Sequence, residues 1–470
     1  MKRLRGSDAF AIYSETPTSP FVTLKVGIYR PTNSDDVPGI DEVKQFVLSG
    51  VARHIAYAAM RIVRVPFDLH HPLWVADPDF SPENHIFHTR LPAPGDKARL
   101  CDLISDLMGR PMNPDRPLWE VWIVDGLEER KIAIVAKLHH ALADGNTIAA
   151  MVSDTHATSA AGNLHGHRAD GETIPGRARL VRDALVDLAR SYTVDIPRYY
   201  SYLKRARARG KALAHGEAEP DMPSGAPYTV LNCSGGSGRL YRYETAPLAT
   251  MKALSKRFGC TLNSLVLGVC SEALRRYLQQ VDTVPPAPLV AAMPIGALGE
   301  EDFKSVLNSD ILHNNVAIAI VPMDLNIPDF AERLHVIKRA AESAIEHVRR
   351  RGGRRFDNYL DYLPGSAIRL LHSTMNRLQE RSRRSFANVI ISNVKGPSKP
   401  LYAVDGRLEM LELLSTGNLN DGGSLNITVW SYVDKVCFSC YTRKEALPQP
   451  ELINTHIREV MEELNANYLG

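Results

Sequence analysis

The sequence predicts a mixed α/β (α+β) protein built as two domains, and three observations predict it. The chain has 470 residues, enough for two large domains sharing a cleft. Short runs rich in β-branched residues alternate with amphipathic helical patterns in both halves. Between the halves, residues 214–228 (AHGEAEPDMPSGAPY) combine acidic, Pro and Gly residues and make the best linker in the chain. The expected division is a first domain over 1–213, a linker over 214–228 and a second domain over 229–470. Within the first domain, residues 153–177 read as a mobile surface loop, with His165 and His167 incidental to it.

In chain order, residues 21–29 (FVTLKVGIY) alternate in character and read as a strand. A helical pattern follows Asp41, with Val43, Phe46, Val47 and Val51 on one face. His70 and His71 lie in a Pro-rich connection, and His85 and His88 lie on an expected strand that points them to opposite faces, poor geometry for a metal. Ala98 to Leu107 reads as a helix stopped by Gly109 and Pro111. Strand Val121–Val124, a turn at Asp125-Gly126 and the run Ile132–Ala136 make a hairpin, with Trp119 and Trp122 as core aromatics. A basic, amphipathic helix spans Ala178 to Tyr202, interrupted at Pro197. In the second half a Gly-rich turn at Ser234–Gly238 leads to a helix over Thr261–Tyr277 and strands near 285–294 and 314–321. Helices over 328–348 and 358–379, a strand over Ala387–Val394, a hairpin of Leu425–Trp430 with Lys435–Thr442, and a helix over Glu451–Leu464 close the chain.

Composition removes several function classes. Lys and Arg number 56 against 53 Asp and Glu, a net charge of +3 that gives no support to nucleic acid binding. Two local runs, 204–211 (KRARARGK) and 348–355 (VRRRGGRR), are solvated faces or, on a sharper reading, contacts for anionic lipid or a cofactor phosphate. The six cysteines include one C-x-x-C, Cys437 to Cys440. It lies on an expected strand, which sends its two ends to opposite sides and argues against zinc or redox work. The first residues lack an apolar signal core and no run is long enough to cross a membrane, so a reducing, cytoplasmic setting is expected.

The chemistry concentrates in Lys131 to Gly145, KIAIVAKLHHALADG. A strand-end histidine pair, His139-His140, is followed by Asp144-Gly145 and a helix that Asn146 or Thr147 could cap. Histidine titrates nearest neutrality and suits general-base work at the rim of a sheet. There is no G-x-S-x-G elbow, H-E-x-x-H, phosphate-binding Walker loop or dinucleotide glycine fingerprint, so the usual marks of serine hydrolysis, zinc proteolysis, nucleotide hydrolysis and hydride transfer are missing. A His base without its own nucleophile suits direct transfer, in which a substrate hydroxyl attacks a bound acyl thioester.

The run HHALADG matches the H-H-x-x-x-D-G motif of the CoA-dependent acyltransferase superfamily, which includes chloramphenicol acetyltransferase and the condensation domains of peptide synthetases. Three further segments resemble the bacterial wax ester synthase/diacylglycerol acyltransferase family: Pro117-Leu118-Trp119, Ser392-Asn393-Val394-Lys395-Gly396-Pro397, and Leu425-Asn426-Ile427 with Ser431-Tyr432. The likeness covers essentially the whole chain. It implies two chloramphenicol acetyltransferase-like domains with the active-site tunnel between them. It also implies transfer of a long-chain acyl group from acyl-CoA to a hydroxyl, with diacylglycerol favoured over a fatty alcohol. No cofactor is implied, since acyl-CoA is a substrate, and peripheral attachment to the inner membrane or lipid bodies follows from water-insoluble substrates.

Carried over by position, His140 is the implied general base, Asp144 a buried carboxylate that fixes the turn and the imidazole, and Gly145 a gap for substrate. His139 either supports the site or packs. Asn263 is a pocket residue or a helix cap, and Asn393 and Gly396 line the second domain's side of the substrate site. Two departures stand out: Ser264 follows Asn263 where relatives carry Asp, and IGALG follows Pro294 where relatives carry a Ser and an Arg. Two other readings stay open, a condensation-type or polyketide-tailoring transferase with a carrier-bound donor, and a catalytically weak lipid- or acyl-CoA-binding member.

Overall fold

The computed structural model describes residues 1–54, 58–142, 145–156, 174–197, 200–201, 225–233, 236–296, 316–350, 360–419 and 423–470. Helix α1 (Gly6–Ser14) leads into strand β1 (Val22–Pro31) and helix α2 (Ile40–Arg53), where Asp41 and Glu42 occupy the first turn, the end that favours negative charge. Strand β2 (Ile86–Arg90) follows, then α3 (Lys97–Gly109), started by the Asp96 carboxylate, which accepts the Arg99 N–H at 2.9 Å. Strands β3 (Trp119–Asp125) and β4 (Ile132–His139) turn at Gly126, whose φ of +79° lies in the left-handed region. Helices α4 (Gly145–His156) and α5 (Arg177–Arg190) complete the first half.

The second half opens with β5 (Arg239–Pro247), α6 (Leu248–Arg257), α7 (Leu262–Val281), β6 (Leu289–Gly296), β7 (Val316–Met323) and α8 (Phe330–Arg350). Helix α9 (Gly365–Ser382), strands β8 (Val389–Lys395), β9 (Leu408–Ser415), β10 (Leu425–Tyr432) and β11 (Lys435–Arg443), and helix α10 (Glu451–Tyr468) follow.

Two six-stranded sheets organise these elements. The second runs β7–β6–β8–β10–β11–β5, with β6, β8 and β10 parallel and the other pairs antiparallel. Leucines, valines and isoleucines of α7, α8 and α10 form one core with it. The first sheet runs β9–β1–β4–β3–β2, with the two-residue strand Tyr402–Ala403 outside β9. Strand β9 therefore comes from the second half of the chain and pairs antiparallel with β1, from Leu408↔Pro31 to Ser415↔Lys25. The sequence-based division placed all of 229–470 in the second domain; in space these strands close the first domain's sheet.

Both faces of the first sheet are covered, which explains why β4 (IAIVAKLH) reads as an almost continuous apolar run. On one face Ala133 and Val135 pack with Leu100, Ile104 and Leu107 of α3 and with Tyr241 and Tyr441 of the second sheet. On the other, Ile134, Ala136 and Leu138 face Val43 and Val47 of α2 and Trp430 of β10.

Several expectations meet the structure differently. Ser153 to His156 continue α4, and Arg177 opens α5, so helix takes both ends of the expected loop; 157–173, with His165 and His167, lie outside the described residues. The basic helix continues past Arg190 through a wider π-type turn at Ser191–Asp195. Of the linker, 214–224 lie outside the described residues, and Ala226–Pro227 form a short strand paired with Arg384–Ser385. His85 is not on a strand: it ends a 3-10 turn, and its Nδ1 hydrogen-bonds the Trp119 carbonyl at 2.9 Å. Residues 204–211, 351–355 and 297–299 lie outside the described residues. Cys437 and Cys440 do face opposite sides of β11, each buried in a different core.

Candidate active site

The two histidines stand at the end of β4, and backbone hydrogen bonds fix them from both sides. His139 N–H donates to the Leu118 carbonyl at 3.0 Å, and His140 N–H donates to the Phe21 carbonyl at 2.9 Å. The Pro-Leu-Trp segment thus has a physical role here: its middle carbonyl anchors the first histidine, at the point where β3 and β4 pair Trp119 with Leu138.

The side chains divide sharply. His139 is 1% exposed, and its Nδ1 accepts the Ala141 N–H at 3.1 Å. The ring proton therefore sits on Nε2, which faces Glu15 Oε2 at 3.5 Å. That separation exceeds a well-formed hydrogen bond, so the coupling is mainly one of charge and dipole. The other Glu15 oxygen accepts the Phe21 N–H at 3.3 Å. Burial alone would push the Glu15 carboxyl up, but the His139 imidazole and the Phe21 N–H more than offset it and hold it below the usual carboxylate range. His140 is only half-buried, its ring edge-on to Phe21 at 5.8 Å and 76°. Of the pair, His140 alone keeps an accessible face.

Beside the histidines lies an apolar cavity of about 200 Å³. Leu138 and Leu142 bracket the His pair at one end, and Ile134, Ala136 and Val121 carry the wall back along the sheet. Phe46, Val47 and Gly50 of α2 and Met151 and Val152 of α4 cover it. Tyr29, His156 and Lys25 in the wall are engaged by the protein itself, whereas the buried Nε2 of His54 lies 3.4 Å from Asp154 without a hydrogen bond. Tyr29 and His156 Nε2 are hydrogen-bonded at 2.8 Å, and His156 Nδ1 reaches the Val152 carbonyl at 2.6 Å. Buried Lys25 donates to Thr23 Oγ1 at 3.0 Å and Ser415 Oγ at 2.6 Å, with Trp430 below it at 5.1 Å. The wall that remains is hydrocarbon.

The other predicted residues are placed as follows. Asp144 lies outside the described residues, and Gly145 is the first residue of α4. Helix α4 touches β8, and Leu142, Val152 and Val394 pack against one apolar cluster, which relates the His stretch to the Ser392–Pro397 segment. Asn393 sits on β8 opposite Val429 of β10, so the two segments that resemble family motifs in the second half are neighbouring strands. A Cβ on Gly396 would come within 2.1 Å of the Ser431 carbonyl oxygen, and only glycine lets this turn lie against β10. Asn263 is in the first turn of α7, its amide directed at Met293 Sδ at 3.0 Å. The cap of α7 is Thr261, which accepts the Ser264 N–H at 3.1 Å, while Ser264 Oγ lies 2.9 Å from the Thr261 hydroxyl. Residue-level reading missed Glu15, Phe21 and Lys25. A glutamate after a short helix and a lysine inside a strand carry no local mark of function; only the fold brings them to the site.

Comparison with known proteins extends this picture. A family model described as the wax ester synthase/diacylglycerol acyltransferase catalytic domain matches residues 4–266, and the model of the corresponding C-terminal domain matches residues 312–465. A Mycobacterium tuberculosis (strain H37Rv) protein assigned by name as a diacylglycerol O-acyltransferase is 30% identical over 441 residues, covering 93% of this chain and 91% of its own. Among solved structures, the wax ester synthase/diacylglycerol acyltransferase from Marinobacter aquaeolei VT8 matches 100% of both chains at TM-score 0.68 and 24% identity. The starter condensation domain of rhizomide synthetase, solved with C8-CoA, matches 99% of this chain and 95% of its own at TM-score 0.57 and 12% identity. At these identities the two structural likenesses speak for the fold.

Proposed function

The chain belongs to the wax ester synthase/diacylglycerol acyltransferase family and is an acyltransferase; from that premise we propose that it moves a long-chain acyl group from acyl-CoA to diacylglycerol, with His140 as general base. The observation that carries this reading is the half-buried His140 at the end of β4, flanked in sequence by Leu138 and Leu142, which line the hydrocarbon cavity. The imidazole of His140 takes the proton of the acceptor hydroxyl, and the oxygen attacks the thioester carbonyl. The resulting oxyanion collapses, the carbon–sulfur bond breaks, and the proton held by His140 passes to the departing CoA thiolate, leaving an ester and free CoA. No enzyme-bound acyl intermediate is needed.

The cavity suits the acyl chain, because engaged polar groups leave little for a polar acceptor to bind. Asp144 keeps the turn-fixing role that the family resemblance implies, and Gly145, Asn263, Asn393 and Gly396 keep their places around the substrate. Water-insoluble substrates favour peripheral attachment to the inner membrane or lipid bodies. No helix among the described residues is long and apolar enough to cross a membrane.

The test follows label from a long-chain acyl-CoA by thin-layer chromatography, with diacylglycerol and hexadecanol as parallel acceptors. Labelled triacylglycerol is expected, and His140→Ala should remove it, by about a hundredfold or more, without moving the melting temperature. Turnover unchanged by that substitution rejects the base assignment. Label accepted only from an acyl-carrier thioester points to condensation-type chemistry, and binding of acyl-CoA without any ester marks a weak or non-catalytic member.

A further inference from the structure

We propose that one face of the protein, built from α9 and the turn at Phe67, docks onto an anionic lipid interface. Phe67 is 86% exposed, and the backbone holds it there with φ +60°, a conformation uncommon outside glycine. Beside it, α9 turns its apolar stripe outward: Leu371, Met375 and Leu378 recur at helical spacing with Leu370 alongside, and Leu370 and Leu378 are 68% and 58% exposed. Helix α9 and the Phe67 turn are locked together by an ion pair between Arg369 and Asp68. Three large apolar side chains at these exposures, two on α9 and one on the turn ion-paired to it, exceed what a solvated helix needs.

Charge selects the occupant. Helix α9 carries Arg369, Arg377 and Arg381 against one acidic residue, Glu380, and Arg383 and Arg384 follow at its end. Arg377 and Arg381 are exposed and form no ion pair among the described residues. An outward apolar stripe flanked by long basic side chains fits the boundary between acyl chains and anionic headgroups, where the stripe enters hydrocarbon and the guanidinium groups remain with phosphate.

The face is also tied by packing to the helix that leads to the His139 partner. Helix α9 packs on α1 so closely that a Cβ on Gly365 would stand 2.2 Å from the Tyr13 hydroxyl oxygen. Two residues beyond Tyr13 in sequence, Glu15 meets His139. Docking through this face would therefore hold an interface on the α1 side of the histidine pair. The use of that placement rests on the acyltransferase reading, whereas docking itself is measured without it.

The experiment floats the full-length chain with vesicles of phosphatidylcholine alone and of phosphatidylcholine with phosphatidylglycerol. Flotation with the anionic vesicles is expected. Phe67→Ser/Leu370→Ser/Leu378→Ser should cut it about tenfold, together with acylation of vesicle-borne diacylglycerol, while turnover of detergent-dispersed diacylglycerol stays within about twofold. Arg377→Glu/Arg381→Glu, which leaves every apolar residue in place, should weaken flotation on the anionic vesicles only. The proposal is overturned if the unsubstituted chain fails to float, if both variants float as it does, or if the serine variant instead breaks a dimer that never bound vesicles. Flotation without ester formation in either assay would uphold docking and reject the acyltransferase reading.

Discussion

The histidines show how far one residue's position decides its chemistry. His139 and His140 are adjacent in sequence, yet one is sealed against Glu15 and the other keeps an open face. The pair at His70-His71, which looks alike in sequence, is buried on both counts, at 4% and 1% exposed. His71 Nε2 reaches the Leu360 carbonyl at 2.7 Å, its Nδ1 lies 3.4 Å from the Tyr13 hydroxyl, and its backbone N–H donates to His70 Nδ1 at 2.8 Å. Burial, reinforced by the Arg3 charge, lowers both imidazoles from 6.5 to about 4. Between those values the unfolded chain binds protons that the folded protein refuses. The stability this pair contributes is therefore full above pH 6.5 and is lost as pH falls toward 4. Melting temperatures across this range should drop, and His71→Asn should make the decline shallower by at most about 1.4 kcal/mol per pH unit. An unaltered slope would assign the acid sensitivity to other groups.

At the scale of elements, the sheet beneath the site invites a sharper test. Ala136 points from β4 into the cavity, about 7 Å along the strand from Leu138 given the usual rise per residue. Ala136→Phe should block the cavity partway and lower turnover of long-chain acyl-CoA by roughly tenfold or more, with short-chain donors spared, since apolar pockets discriminate by about this factor per chain unit. A profile that fell equally for all donors would mean that the acyl chain lies elsewhere. Strand β4 was legible in the sequence because its apolar run is continuous, and α2, α3, α7 and α10 because their apolar residues recur at helical spacing. Helix α9 is Gly365–Ser382, opening just after Pro364, and the expected start at 358 lies outside the described residues. Strand β9 (LEMLELLS) went unread: its acidic and apolar residues do not alternate cleanly, and it pairs with a strand some 390 residues earlier. For the same reason Glu15 and Lys25 were invisible as site residues, whereas His139, His140 and the Ser392–Pro397 segment were found through their local motifs.

The molecule as a whole is tied together by that exchange of a strand. Leu414 and Leu419 share a core with Val22 and Leu24, and Tyr241 and Tyr441 reach into it from the second sheet. Residues 1–228 expressed alone should leave the edge of β1 unpaired and form inclusion bodies, whereas co-expression with 229–470 should recover soluble protein that elutes as one species. Soluble, cooperative unfolding of the isolated first half would show that β9 adds little. The arrangement bears on how the protein is made. A ribosome releases β1 within the first few dozen residues, but its neighbour β9 emerges only after residue 415, so the nascent first sheet waits with an open edge through most of translation. A cell producing this chain must shield that edge for as long as synthesis lasts, and slowing elongation in the second half should raise the fraction lost to aggregation.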